Sequence, residues 1–186
     1  MRDVRGAQLP YIIGTGGSKG KPGGFHQLGR HMADLNEIYN SKLLELAAHI
    51  PHSQRLASPD ATVTAHSKLC GSTVSIDLNM QADRVTGYGQ TVKACLLGQA
   101  ASAIMGAHII GANAGELRET AAAMRHMLKD NGPPPTGRFA DLAILEPVRH
   151  YKARHGSVML VFDAVERAID EIEDKRSGVP ADAANA

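Results

Sequence analysis

The spacing of apolar residues changes twice along the chain. Over residues 35–49, Leu35, Ile38, Tyr39, Leu43, Leu46 and Ala47 recur at helical intervals, with Asp34 placed to cap the start and Pro51 closing the end. The period then shortens to two. Across residues 73–80, Val74, Ile76, Leu78 and Met80 alternate with Thr73, Ser75, Asp77 and Asn79, the pattern of a strand with one buried face. Residues 62–67 and 84–92 read as its partners and residues 81–83 as a tight turn, which together predict an antiparallel meander. From residue 96 the helical period returns. The segment 96–107 is rich in small residues (Ala100, Ala101, Ser102, Ala103) that allow close packing. The segment 114–129 sets Leu117, Ala121, Met124 and Leu128 on one side, and Asn131, Gly132 and Pro133 stop it. A short helix is predicted over 141–148. A long one is predicted over 157–174, with Val158, Val161, Phe162, Val165, Ile169 and Ile172 on its apolar face. Strands first and helices afterwards predict an α+β domain: a short three-stranded antiparallel sheet with helices packed on one face, an N-terminal helix and a long C-terminal helix.

Flanking segments lack this periodicity. Residues 1–31 are rich in Gly, with Lys, Pro and Ser, and read as a disordered arm; residues 32–176 form the folded domain, and residues 177–186 a flexible tail. The stretch 14–22 resembles a phosphate loop only superficially, because Pro22 stands where a magnesium-binding hydroxyl belongs. The chain has 186 residues, 43% hydrophobic and 21% charged, which suits one packed domain with tails. A formal net charge of +1 makes no case for nucleic acid or an anionic membrane as the main partner. No apolar run approaches the roughly 20 residues that span a bilayer. A cytoplasmic protein is the simplest expectation.

Chemistry concentrates around two cysteines, Cys70 and Cys95. Two are too few for a secreted disulfide framework, and buried inert thiols are the plain expectation. Cys95, however, falls where a strand gives way to a helix N-terminus, a place where backbone N–H groups and the helix dipole favour an anion, and Lys93 is close by. A thiolate is both a nucleophile and a metal ligand. No nucleophile elbow, zinc-protease helix or dinucleotide fingerprint is present. The basic run Arg149, His150, Lys152, Arg154 and His155 reads in the first instance as a solvated segment.

Several of these features occur together in one family. Cys70-Gly71 before the meander, Lys93-Ala94-Cys95 opening an Ala/Ser-rich helix, and Tyr151-Lys152-Ala153-Arg154 before a long helix resemble the U-type iron–sulfur cluster assembly scaffolds. That group comprises IscU, SufU and the N-terminal part of NifU, and the order of elements is most similar to the SufU branch. The resemblance spans about residues 35–172 and implies a SufE/NifU-like fold. It implies that Cys70 and Cys95 match the first two of three ligand cysteines. Ser72 stands at the position of the family's aspartate, and Ser157 at that of its third cysteine. It also implies a cysteine desulfurase as partner, and a labile iron–sulfur cluster or zinc as the bound group.

Two ligand positions are therefore substituted. Tetrahedral zinc takes four good ligands, and clusters are normally held by four thiolates, so neutral hydroxyls are weak replacements. His66 and His155, which by the resemblance border the site, are candidate additional metal ligands; a homodimer sharing four cysteines is the other way to complete the set. The expected function is an assembly scaffold, rather than a turnover enzyme, that accepts iron and persulfide sulfur. A divergent, metal-free adaptor module is the alternative.

Overall fold

The computed structural model describes residues 41–67 and 71–178. The arm expected over 1–31, the first part of the helix expected over 35–49, Cys70 and the residues from 179 onward lie outside the described residues. Helix α1 (Ser41–Ala48) buries Leu43 against the body of the domain. A meander follows: β1 (Ala61–His66), β2 (Thr73–Gln81) and β3 (Arg84–Lys93), antiparallel throughout in the order β1-β2-β3. Then come α2 (Leu96–His108), α3 (Ala114–Asp130), a 3-10 segment (Gly137–His150) and α4 (Lys152–Ser177). The fold is the expected α+β arrangement.

Strand alternation explains the layers. Ala61, Val63 and Ala65 of β1 and Val74, Ile76, Leu78 and Met80 of β2 are buried beneath α4, whose own face contributes Val158, Val161, Phe162, Val165, Ile169 and Ile172. Helix α2 packs beside α4, and α3 and the 3-10 segment pack outside them. The core is thus mostly aliphatic, with Phe139, Phe162 and Tyr88 as its buried aromatic members.

The opposite face of the sheet is polar and is held by one carboxylate. Asp77 is fully buried, yet it accepts two hydrogen bonds from the Arg55 guanidinium, one from the Leu56 backbone N–H at 3.0 Å and one from the Thr62 hydroxyl at 2.7 Å. Burial alone would raise its pKa. The donors from Arg55, Thr62 and Leu56 outweigh that effect and hold the carboxyl below its ordinary value. The loop leading into β1 is thereby pinned onto the sheet.

Neither sheet edge is left open. Along β1, Arg167 donates to the Thr64 carbonyl and Lys175 to the Asp60 carbonyl, so basic side chains of α4 occupy the edge acceptors. Along β3, the backbone N–H of Gln90 donates to His52, and Val85 exchanges backbone bonds with Gly111 and Ala112. Among the described residues, these partners blunt both edges against pairing with a strand of another chain.

Two helix expectations change. The helix expected over 141–148 is a 3-10 segment running from Gly137 to His150, and Pro147, which has no N–H to donate, lies within it. The last helix starts at Lys152, five residues before the expected start. Its first turn, Lys152-Ala153-Arg154-His155, carries no apolar stripe, although these residues suit a helix, so apolar periodicity alone begins too late.

Replacing Asp77 with Ala leaves Arg55 and Thr62 without their acceptor and is expected to cost roughly 3 kcal/mol in denaturant unfolding at pH 7. Because the folded pKa of Asp77 is depressed, its contribution is complete above the unfolded carboxylate value of about 4 and fades as pH falls below it. The gap between parent and variant should therefore narrow between pH 7 and pH 3.

Candidate functional site

The end of the β2–β3 ladder sets the site. Thr73 pairs with Lys93 in antiparallel register, so the residues just beyond the ladder, Gly71 and Ser72 on one side and Ala94 and Cys95 on the other, lie level with each other. The turn feeding β2 is closed by backbone bonds from Ser67 N–H to the Ser72 carbonyl (2.9 Å) and from Gly71 N–H to the Ser67 carbonyl (3.0 Å). Gly71 has φ +67°, a left-handed conformation in which a Cβ would be strained. Cys70, next in the chain, is outside the described residues.

Cys95 occupies the N-cap position of α2 with extended backbone (φ −65°, ψ 167°), and its side chain does not cap the helix. Its half-buried thiol lies 3.1 Å from the hydroxyl of Ser157. Ser157, only 1% exposed, donates in turn to the Ser72 hydroxyl across a long 3.4 Å contact, and Ser72 is itself buried. Three positions separated by up to 85 residues thus converge on one spot: Ser72 from the start of β2, Cys95 from the start of α2 and Ser157 from the second turn of α4. Because α4 starts early, Ser157 lies within the helix and not at its tip.

What permits the convergence is an absent side chain. A Cβ on Gly98 would lie 2.7 Å from the Ser157 hydroxyl, 2.9 Å from the Ser157 carbonyl and 2.9 Å from the Ala94 Cβ. Gly98 therefore lets α4 approach α2 closely enough for Ser157 to reach Cys95. Gly98 was not singled out from the sequence. A glycine three residues into a helix that opens on a cysteine was the available signal.

The two histidines are placed differently from the cysteine. His66 is exposed at the end of β1, on a cleft shared with Arg118, Arg125 and Arg167. His155 is buried, and its Nε2 faces the carbonyls of Val148 (3.1 Å) and Arg149 (3.2 Å), so Nε2 carries the proton and donates. That ring ties the start of α4 to the end of the 3-10 segment. Lys93 is exposed beside the site.

Among the described residues, no group of three or more His, Cys, Asp or Glu side chains is arranged to hold a metal ion. Among the described residues, the site consists of one thiol and two hydroxyls joined by a hydrogen bond. Such a donor set does not by itself fit a four-ligand metal centre.

Comparison with solved structures gives the site its context. The crystal structure of a nitrogen-fixing NifU-like protein (N-terminal) from Brucella abortus matches at 53% sequence identity with a TM-score of 0.76, covering 76% of this chain and 99% of that one. A protein of Fervidobacterium islandicum described as an iron–sulfur cluster assembly scaffold for the SUF system matches at 16% identity with a TM-score of 0.67, covering 72% and 98%. The second likeness is one of fold alone. No protein-family model and no curated protein matches the chain.

Gly98→Ala must push α4 away from α2, since the atoms in its way include backbone. It is expected to lower stability by about 1–3 kcal/mol, the usual cost of overpacking. It should also speed alkylation of Cys95 by a small maleimide several-fold as Ser157 withdraws. Thermal melts and timed mass spectrometry of the labelled peptide check both effects.

Proposed function

Since the chain belongs to the NifU-like family of U-type iron–sulfur cluster assembly scaffolds, we propose that it is a reduced-ligand scaffold that accepts sulfur as a persulfide on Cys95 and carries iron and sulfur as cargo. The observation that supports this reading is the convergence of Ser72, Cys95 and Ser157, three positions that match the family's ligand positions, around a thiol accessible from solvent. A geometry kept where two ligands have changed points to a site still in use. It functions as an acceptor and carrier and not as a turnover enzyme.

Sulfur delivery needs little from the chain. A cysteine desulfurase presents a persulfide, and the Cys95 thiolate attacks its terminal sulfur. A new S–S bond forms on Cys95 as the desulfurase S–S bond breaks; the desulfurase cysteine leaves as thiolate, and the proton on the terminal sulfur travels with it. The transfer is a displacement at sulfur with no net electron gain or loss, so no outside oxidant or reductant enters. Around the incoming sulfur, the available donors are the Ser157 hydroxyl and the free N–H groups of the first turn of α2. Ser157 has one proton. It donates to Ser72 when the thiol is protonated, and it can turn to the sulfur once that sulfur is an anion.

Holding a cluster takes more than one chain offers. Cys70 and Cys95 are two thiols, and two chains supply the four thiolates that a [2Fe–2S] cargo takes. A homodimer closing on paired sites is therefore part of this reading. A cytoplasmic location, where thiols stay reduced, is its natural setting. Among the described residues, no helix is long and apolar enough to cross a membrane. One observation favours a second reading: the serines satisfy each other without any metal, as a metal-free adaptor would require.

Anaerobic incubation with a cysteine desulfurase and cysteine, followed by mass spectrometry, separates the two readings. The expected product carries one extra sulfur on Cys95, lost in Cys95→Ser and retained in Ser157→Ala at a several-fold lower level. Reconstitution with iron and sulfide should then give a thiolate–iron charge-transfer band at about one [2Fe–2S] per two chains. No persulfide and no band on the parent protein would establish the adaptor. Independently, the double variant Ser72→Asp/Ser157→Cys restores the family's ligand set and should bind about one zinc per chain by metal analysis, where the parent binds far less.

A further inference from the structure

Cys95 is reached through a very short connector. Strand β3 ends at Lys93, whose pairing with Thr73 is the last of the ladder, and α2 begins at Leu96. Ala94 and Cys95 lie between the two. A planar peptide flanks Cys95 on each side, and the orientations of these two planes set the direction in which its Cα–Cβ bond points. The cysteine side chain makes no capping bond to α2, so the helix gives the thiol no anchor and the backbone must aim it.

One residue holds both peptides. The Gln99 backbone N–H donates to the Cys95 carbonyl at 2.9 Å, which is the ordinary opening bond of a helix. The Gln99 side chain does something less ordinary. Its Nε2 reaches back five residues and donates at 2.8 Å to the Ala94 carbonyl, a group outside both the ladder and the helix.

The residue type fits that task. A carbonyl only accepts, so the NH2 end of the amide must face it. A carboxylate near a helix start would suit the helix dipole, yet α2 has no acidic residue in its first turn. A neutral amide supplies the donor and brings no negative charge near a sulfur that is to become an anion.

On the reading that Cys95 accepts sulfur, we infer that Gln99 is a positioning residue for that step. By fixing the peptides on both sides of the cysteine, it keeps the thiol 3.1 Å from the Ser157 hydroxyl. Freeing the Ala94 carbonyl lets the 94–95 peptide turn, and the thiol swings away from Ser157. Two effects of opposite sign follow. The thiol, no longer covered by Ser157, meets small electrophiles more readily, whereas the incoming sulfur loses the hydroxyl donor beside it.

The test compares the full-length parent with Gln99→Met, which keeps the length and helix preference of the side chain and loses its donor. Alkylation of Cys95 by a small maleimide should speed several-fold. Persulfide loading by a cysteine desulfurase should slow several-fold, with the half-saturating desulfurase concentration unchanged. Gln99→Leu, a second neutral variant without a donor, should repeat this pair of effects. A general loosening of the helix start would speed both reactions, so rates that move together, or not at all, overturn the assignment. In a Ser157→Ala background, Gln99→Met should change persulfide loading by less than about twofold, because the donor it aligns is already gone. A full further loss there would also overturn it. A parent that takes up no persulfide would instead sink the sulfur-accepting reading; the alkylation rates alone then decide whether Gln99 places the thiol, and unchanged rates would show that it does not.

Discussion

The close approach of α2 and α4 at Gly98 is the contact on which the site depends. The two helices are separated in the chain by α3 and the 3-10 segment, and each is also fastened to the sheet: α2 through the strand that runs directly into it, α4 through the apolar face lying on β1 and β2. With both helices constrained from below, their separation at the top is decided by what stands between them, and at Gly98 there is only backbone. The Ser157 hydroxyl fits that gap and bridges to Cys95 on one side and Ser72 on the other. A larger side chain at residue 98 would break the bridge by colliding with Ser157 itself.

A second constraint works from the far side of the sheet. Asp77 is a buried charge, and such a group is costly unless its oxygens are filled. Arg55, Thr62 and the Leu56 N–H fill them, and in doing so they hold the long loop between α1 and β1 against the polar face. Basic residues of α4 reach in the other direction and cap the carbonyls of β1 and of the β2–β3 hairpin, where Arg176 bonds to Met80 and Ala82. The sheet is thus closed at its edges and on its polar face. Among the described residues, the half-buried thiol of Cys95 lies at the end of the β2–β3 ladder, away from these closures.

Much of this was legible in the sequence because it rests on periodicity. The alternation around Ile76 and Leu78 identified β2 and its buried face, and the stripe from Val158 to Ile172 identified α4. The placing of Cys95 at a strand–helix junction followed from the change of period alone. What escaped was whatever does not repeat. Lys152 to His155 form the first turn of α4 without an apolar stripe, so the helix starts earlier than the pattern indicates, and Ser157 moves into its second turn. Pro147 and the 3-10 geometry around it alter hydrogen bonding and leave the hydrophobic spacing almost unchanged. The role of Gly98 depends on an approach between residues 59 positions apart, which no local pattern records, and His155 was read as a candidate ligand because composition cannot show which way a ring turns.

The serines carry the last step of the argument. A carboxylate and a third thiol at positions 72 and 157 would place ionisable groups in surroundings only 5% and 1% exposed, tolerable when a cation neutralises them and costly when it leaves. Hydroxyls remove that dependence. Ser157 bonds to Ser72 and Cys95 shares in the chain, so among the described residues positions 72 and 157 need no cation to neutralise them. A four-ligand site couples occupancy to folding stability. Hydroxyls at these two positions weaken that coupling. The substitutions thus weaken the donor set for metal, whereas the proposed sulfur-accepting step needs only one nucleophilic thiol and a donor beside it.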